Sequence, residues 1–366
     1  MDRPSAPRHL DALTGIRGIA AWGVVLYHIR LSLLTLFPAS VIAVLAKGYL
    51  AVDLFFMLSG FVIWYNYAGK IEAGGWSATR QFLWRRLARV WPLHVAILAV
   101  LVAFVALLAA TGRDISNYPF GELPLHVLLV QNWGFTRNLS WNHPAWSIST
   151  ELAAYLAFPA LVAAARWSRV ASAVLLAGVA ALALALYAGF AAAGYGNLGA
   201  DITHLGLWRC LAEFTMGCLM CQLWQRWRNI SWASYAATAC GAAVLALGVH
   251  RGLPETAFVP LTFFCLLFAL SLARNMVARV IGGPTLTYLG EISYSTYLSH
   301  FVLFIFYKIA FVDATLQLGW TGLGGYLALV LAVSAGLYRW VEKPAQRWLN
   351  VRPPRWRRPA PGGIAD

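Results

Sequence analysis

Residues 10–28 read LDALTGIRGIAAWGVVLYH, and this stretch decides how the rest of the chain is interpreted. It is an apolar segment of membrane-spanning length that nevertheless contains Arg17 and His28. Residues eleven apart on a helix are separated by about three turns and roughly 16 Å, so these two side chains share a face at different depths. An arginine at the centre of a bilayer costs on the order of 3 kcal/mol, which favours a functional role for it. A structural arginine paired with a buried acid is the alternative.

The composition shows what kind of solvent surrounds this chain. Of its 366 residues, 60% are hydrophobic and only 11% are charged. Soluble domains contain about 25% charged residues, so the sequence predicts an all-α, polytopic integral membrane protein. A net charge of +14 would suit a nucleic-acid partner, but the basic residues flank the apolar segments. We therefore expect membrane lipid, and not nucleic acid, to be the partner of these charges.

Length and hydropathy predict about ten membrane spans. They cover roughly residues 10–32, 48–66, 92–110, 145–165, 172–194, 206–224, 232–249, 257–273, 285–311 and 321–341. Alternate connecting segments are rich and poor in Lys and Arg, which predicts that both termini are cytoplasmic. We expect a membrane domain at residues 1–343 and a disordered, basic, Pro/Arg-rich cytoplasmic tail at residues 344–366.

The second span begins with VDLFFMLSGFVIW and contains an acid near its predicted outer end. Asp53 either faces the first helix or caps the N-terminus of its own helix, where a carboxylate complements the helix dipole. The small residues Ser59 and Gly60 allow another helix backbone to approach closely. These features make Asp53 a candidate supporting residue of a site within the bundle.

Residues 66–92 are predicted to form a basic cytoplasmic loop that ends at a helix start, Pro92. Arg86 and Arg89 are three residues apart and would share one helical face. Two guanidinium groups so placed can bind phosphate groups through paired hydrogen bonds. The alternative is topogenic charge at an anionic lipid surface, which requires no ligand.

An outer loop, residues 111–144, leads into WNHPAWSISTELAAYLAFP at residues 141–159. Ser147 and Glu151 are four residues apart and would lie on one face of the helix that follows Pro144. A serine and a carboxylate at this depth can bind sugar hydroxyls or orient an imidazole. Glu151 could also serve as a counter-ion, and its predicted depth matches His28 better than Arg17.

The later spans contain fewer polar residues. Arg209 and Glu213 are four residues apart in the sixth predicted span, which favours an internal ion pair. His300 in the ninth span is either a hydrogen-bonded packing histidine or part of the site. The sequence contains no credible metal-binding cluster.

Together these stretches resemble the acyltransferase 3 family of integral-membrane O-acyltransferases. The resemblance is carried by Arg17 and His28, by VDLFFMLSGF, by RRLARVWP, by WSISTE, and by the late strings LGEISYSTYLSH and VEKP. It covers nearly the whole chain. One departure is the first-helix string LDALTGIRG, where the family more usually has a shorter form, LDGLRG.

The resemblance implies transfer of an acyl group, commonly acetyl, from cytoplasmic acyl-CoA to a hydroxyl of an extracytoplasmic carbohydrate, lipid-linked glycan or other acceptor. It also implies that Arg17 and His28 are a catalytic pair and that Ser147 and Glu151 form a Ser-x-x-x-Glu motif. The protein would then be a transferase of the cell (inner) membrane, with acyl-CoA as donor substrate and no metal.

The predicted depths suggest a mechanism. Arg86 and Arg89 would hold the phosphates of the donor while its thioester arm extends past Arg17 toward His28. An imidazole with an ordinary pKa of about 6.5 can take the proton of the attacking hydroxyl, or it can carry the acyl group itself. Two other classes remain open: a secondary transporter with an intramembrane Arg/His/Glu site, and a non-enzymatic membrane protein that binds lipid or sugar.

Overall fold

The structure, a computed structural model, describes residues 10–312 and 315–351. Every regular element in these two ranges is helical, which confirms the predicted all-α class. The helices are α1 Asp11–Ile29, α2 Ala39–Leu45, α3 Ala51–Ala110, α4 Leu123–Leu128, α5 Ala145–Ala163, α6 Ser172–Ala192, α7 Ile202–Trp227, α8 Ala233–His250, α9 Glu255–Leu272, α10 Met276–Ile281, α11 Pro284–Glu291, α12 Ser293–Phe311, α13 Trp320–Leu337 and α14 Lys343–Val351. A π-helical turn at Tyr338–Glu342 joins α13 to α14.

Seven helical stretches in the described part of the chain are long and apolar enough to cross a membrane, so the protein is a polytopic membrane protein. The predicted number of spans, about ten, is larger than seven for two reasons. First, the stretch that contains α3 counts as one of the seven, although the 60 residues of α3 would extend about 90 Å as a straight helix, three times the thickness of the bilayer core. Second, helices α7 and α12 are long enough to cross a bilayer but are more polar than the seven stretches. The number ten and the cytoplasmic termini stay predictions.

Helix α3 is a hairpin of two helical arms. Gly75 has φ 52° and ψ −134°, a non-helical conformation that interrupts the helix. Tyr67 and Arg86 lie on opposite sides of this glycine, 19 residues apart, and are hydrogen-bonded at 3.0 Å. A straight helix would separate them by about 28 Å, so the chain must fold back at Gly75. The predicted loop at residues 66–92 was therefore wrong: apart from this turn the segment is helical, and Pro92 lies inside the helix.

Close helix crossings hold the first arm of α3 in place. A Cβ atom added to Gly60 would lie 1.9 Å from the backbone oxygen of Phe214, and one added to Gly217 would lie 2.0 Å from that of Met57. Both glycines are therefore required for α3 and α7 to touch backbone to backbone, as the sequence predicted for Gly60. This crossing fixes the height of Ser59 within the bundle.

The predicted tail begins with structure. Residues 343–351 form α14, and the indole nitrogen of Trp84 donates a hydrogen bond to the backbone oxygen of Leu349 at 3.0 Å. The prediction of disorder was wrong for this part of the tail. Residues 352–366 lie outside the described residues.

Candidate active site

Four helices enclose a cavity of about 110 Å³ that we call the arginine cavity. Helices α1, α3, α5 and α12 contribute its walls, and much of the surface from α3 is apolar. It brings together five residues that the sequence predicted for the site: Arg17, Arg86, Arg89, Ser147 and Glu151. The fold places them together because both arms of α3 face the same cavity, one contributing Ser59 and the other the two arginines.

Arg17 is half-buried in this cavity. Within residues 10–312 and 315–351 its guanidinium has no hydrogen bond and no ion pair. Its charged neighbour is Glu151, whose carboxylate accepts a hydrogen bond from Ser59 instead. Arg17 is thus not the buried structural ion pair that was its alternative. Its donors are free to bind an anionic or carbonyl oxygen in the cavity.

Arg86 and Arg89 share the cavity but differ in their partners. Arg89 forms an ion pair with Glu342, which is buried and also accepts a hydrogen bond from Ser295 at 2.7 Å. Arg86 donates to the hydroxyl of Tyr67, and its Nε has no partner among the described residues. No carboxylate of the described chain pairs with Arg86, so Arg86 has more capacity to bind a ligand than Arg89.

A second cavity of about 230 Å³ surrounds His28, and we call it the histidine cavity. Its wall is rich in aromatic and basic side chains, including Tyr27, Arg30, Tyr49, His143 and Trp146. The sequence had placed Glu151 beside His28, and that was wrong, because Glu151 lines the arginine cavity. The prediction compared only the depths of Glu151 and His28 in the membrane. It did not include the side of α5 on which Ser147 and Glu151 lie, which faces α3 and α1.

His28 and His300 form a hydrogen-bonded pair. The Nδ1 of His300 lies 3.1 Å from the backbone oxygen of Thr296, so this nitrogen carries the proton of the neutral ring. Its Nε2 is then an acceptor, and it lies 3.1 Å from Nδ1 of His28. Nδ1 of His28 is also 3.0 Å from the backbone oxygen of Val24. Both neighbours accept, so His28 is protonated on Nδ1 and its Nε2 has a free lone pair.

The hydroxyl of Tyr297 lies 2.8 Å from Oγ of Ser147, and Tyr297 lines both cavities. Sequence reasoning missed this residue. The signal that could have found it is the string SYSTYLSH, in which Tyr297 precedes His300 by one helical turn and so shares its face.

Asp53 and Arg209 form a buried ion pair with bonds of 2.6 and 2.5 Å. The predicted pair between Arg209 and Glu213 was therefore wrong, because among the described residues the ion pair of Arg209 is with Asp53. A bidentate ion pair between two helices has better geometry than a pair along one helix, which explains why Arg209 pairs with Asp53 and not with Glu213. Asp53 does not cap α3, whose N-cap residue is Leu50, but it lies in the first turn of that helix, where a carboxylate complements the helix dipole. That Asp53 faces the first helix stays a prediction.

No group of three or more His, Cys, Asp or Glu residues in the described ranges is placed to hold a metal ion.

The chain resembles known proteins along most of its length. A protein-family model described as "Acyltransferase domain" matches residues 10–339. The chain is 28% identical to Acyltransferase MdmB of Streptomyces mycarofaciens over 94% of both chains. It is 23% identical to a putative O-acetyltransferase of Staphylococcus aureus strain COL, over 94% of this chain but only 59% of that protein's length.

A shorter match is to Protein 2 in picA locus of Rhizobium radiobacter, 34% identical over 161 residues, which are 40% of this chain and 80% of that protein. No solved structure matches the chain. The family model covers far more than half of the chain, and the match includes both cavities. The chain therefore belongs to the acyltransferase 3 family and is a membrane-bound enzyme that transfers acyl groups to hydroxyls.

Proposed function

We propose that this enzyme transfers an acyl group, acetyl in the simplest case, from cytoplasmic acyl-CoA to a hydroxyl of an extracytoplasmic carbohydrate, lipid-linked glycan or similar acceptor. The membrane would be the cell (inner) membrane. The observation that carries the proposal is that two chemically different cavities share one lining residue among those the structure describes, Tyr297. One cavity offers a free guanidinium, and the other offers an imidazole with a free nitrogen.

The arginine cavity suits the donor. Acyl-CoA joins an anionic nucleotide to a long, mostly uncharged arm that ends in a thioester. Arg86 would bind an anionic group of the donor, since no carboxylate among the described residues neutralises it. Arg17 would bind a polar group of the arm, and the apolar side chains of α3 would pack against the arm and the acyl chain.

His28 is the proposed general base. Its free Nε2 can accept the proton of the acceptor hydroxyl while the hydroxyl oxygen attacks the thioester carbon. Proton uptake leaves an imidazolium whose Nδ1–H still points at two acceptors, Val24 and His300. His300 would thus position the base and stabilise its charge without touching a reactant. Nucleophilic attack by the same nitrogen, giving an acyl-histidine, is the alternative route.

The histidine cavity suits the acceptor. The rings of Tyr27, Tyr49 and Trp146 provide flat apolar faces, and Arg30 provides hydrogen-bond donors beside His28. A sugar has apolar C–H faces and a rim of hydroxyls, so such a wall matches it on both counts. The name of the staphylococcal relative, a putative O-acetyltransferase, supports an acetyl donor and an oxygen acceptor. Membership of an acyltransferase family favours this enzymatic function over a secondary transporter.

The test uses purified protein in lipid vesicles. Acetyl-CoA labelled in the acetyl group is supplied with a panel of free and lipid-linked sugars, and both ester formation and free CoA thiol are measured. We expect equal amounts of ester and thiol from the wild type, and both to form at least about 100-fold more slowly with His28→Ala. In vesicles of known protein orientation, donor added on the Gly75 side should react and donor added on the other side should not. Wild-type protein that binds no acyl-CoA would contradict the proposal.

A further inference from the structure

Tyr297 lies where the two cavities meet, and its hydroxyl is hydrogen-bonded to Ser147. Among the described residues, Tyr297 alone lines both the arginine and the histidine cavity. Its hydroxyl lies 2.8 Å from Oγ of Ser147, and its ring packs edge-on against Phe55 with centroids 5.8 Å apart. The side chain is only 7% exposed, so its hydroxyl has little access to bulk water.

The direction of this hydrogen bond follows from the neighbours of Ser147. The hydroxyl of Ser147 donates to the backbone oxygen of Pro144 at 3.2 Å. Its single proton is therefore engaged, and its oxygen is left as the acceptor for Tyr297. In the absence of substrate the Tyr297 proton thus points at a neutral oxygen within the wall of the arginine cavity.

We propose that Tyr297 is a catalytic residue whose hydroxyl turns from Ser147 to the carbonyl oxygen of the donor thioester. The inference rests on the proposed function, in which the donor comes from the arginine cavity and the acceptor from the histidine cavity. Their reacting atoms must then meet at the boundary, where Tyr297 lies. A hydrogen-bond donor in a site with little water is well suited to stabilise charge that develops on a carbonyl oxygen.

The acceptor oxygen forms a bond to the thioester carbon, its proton passes to Nε2 of His28, and the carbonyl π electrons move onto the carbonyl oxygen, where Tyr297 donates. The carbonyl then re-forms, the carbon–sulfur bond breaks, and the sulfur takes the proton from His28. The products are an ester and CoA thiol. Tyr297 donates a hydrogen bond throughout and neither gains nor loses its proton.

The test removes only the hydroxyl, in Tyr297→Phe. We expect kcat to fall by about 100- to 1,000-fold, the usual effect of losing one such donor, while KM for acetyl-CoA changes by less than about threefold. The matched control is Tyr307→Phe on the same helix, whose hydroxyl donates to the backbone oxygen of Gly322 and lines neither cavity. This control should transfer acetyl groups at the wild-type rate.

A second measurement separates hydrogen bonding to the carbonyl from a structural role. Two unreactive acetyl-CoA analogues are compared: a ketone in which CH₂ replaces the thioester sulfur, and the same molecule with a further CH₂ in place of the carbonyl. Wild-type protein should bind the ketone about 3- to 10-fold more tightly, and Tyr297→Phe should bind both equally. Ser147→Ala should keep the preference for the ketone, because Tyr297 remains.

The outcomes are distinguishable. If wild-type protein binds neither analogue and does not transfer acetyl groups, the proposed function fails and this inference fails with it. If the wild type transfers acetyl groups and Tyr297→Phe matches it in kcat and keeps the preference for the ketone, only the inference fails.

Discussion

Nδ1 of His28 and Nε2 of His300 lie 3.1 Å apart, although 272 positions separate the two residues in the chain. The contact joins the first long helix to α12 and fixes both the orientation and the tautomer of His28. In place of the carboxylate that orients the base in many hydrolases, His300 presents a neutral ring whose Nε2 can only accept. The activity of a base oriented in this way should require an acceptor atom at the position of Nε2 more than it requires the rest of the His300 ring.

His300→Phe should therefore lower kcat by about 10- to 100-fold, since one hydrogen bond to a charged imidazolium is lost. His300→Gln should recover much of the rate, because its side-chain oxygen can occupy the place of Nε2. Donor affinity should not change in either variant. Equal rates for the Phe and Gln variants would show that His300 acts through packing alone.

His28→Ala should lose about two to four orders of magnitude in turnover, the usual contribution of a positioned base. Acetyl-CoA should still bind, because His28 does not line the arginine cavity. Calorimetric titration measures binding, and mass spectrometry of wild-type peptides after a pulse of labelled donor tests the covalent route. A stable acetyl group on His28 would replace the general base by a nucleophile.

Because Arg86 and Arg89 have different partners, we expect substitution of Arg86 to weaken donor binding and substitution of Arg89 to lower stability. Arg86→Gln should weaken donor binding by about 10-fold or more, with little change in melting temperature, because no carboxylate among the described residues depends on it. Arg89→Gln should lower the melting temperature, because it leaves the buried Glu342 without its cation. The double variant Arg89→Gln, Glu342→Gln should recover stability. If both single variants alter only stability, the arginines are structural or topogenic.

The loop at residues 111–144 should lose stability as the pH falls. Burial lowers the pKa of His126 to about 4, with smaller contributions from His94 and His143. Its Nε2 must donate to Ser140 at 2.9 Å, since the Ser140 proton is committed to Glu122 at 2.7 Å. In the unfolded chain the imidazole titrates near pH 6.5, so between about pH 6.5 and 4 the unfolded state binds more protons than the folded state. Protonation thus favours unfolding in that window.

The comparison is wild type with His126→Gln, whose amide can still donate to Ser140 but does not titrate. Melting temperatures between pH 7 and pH 4.5 should fall more steeply for the wild type. Parallel pH dependence of the two proteins would assign the acid sensitivity to other groups.

Topology is testable with single cysteines in a background without the five native ones. Asn138 and Ser77 are both exposed, the first in the loop at residues 111–144 and the second two residues after Gly75. In intact cells an impermeant maleimide should label Asn138→Cys, and it should label Ser77→Cys only after lysis. The reverse pattern would place the donor cavity toward the outside and contradict the direction of transfer.

Sequence reasoning succeeded where a feature is local or compositional. The placement of arginine and histidine in one apolar helix and the spacing of Arg86 and Arg89 on one face follow from helix geometry, and the structure shows both. It failed for contacts between residues on different helices, which depend on how those helices pack against each other. Arg209 pairs with Asp53 instead of the nearer Glu213 because α7 packs on α3, and no local pattern records that crossing. Tyr297 was missed for the same reason, since its partner Ser147 lies on another helix.

The turn at Gly75 has a consequence for how this enzyme can change in evolution. Both arms of α3 are continuous helix from the turn to the arginine cavity, so one inserted residue would rotate everything beyond it by about 100° and shift it by about 1.5 Å. Ser59 or Arg86 would then leave the cavity although neither had been replaced. Substitutions should therefore be tolerated at the exposed positions on either side of Gly75, while insertions and deletions within the helical arms should be as damaging as mutations in the site itself.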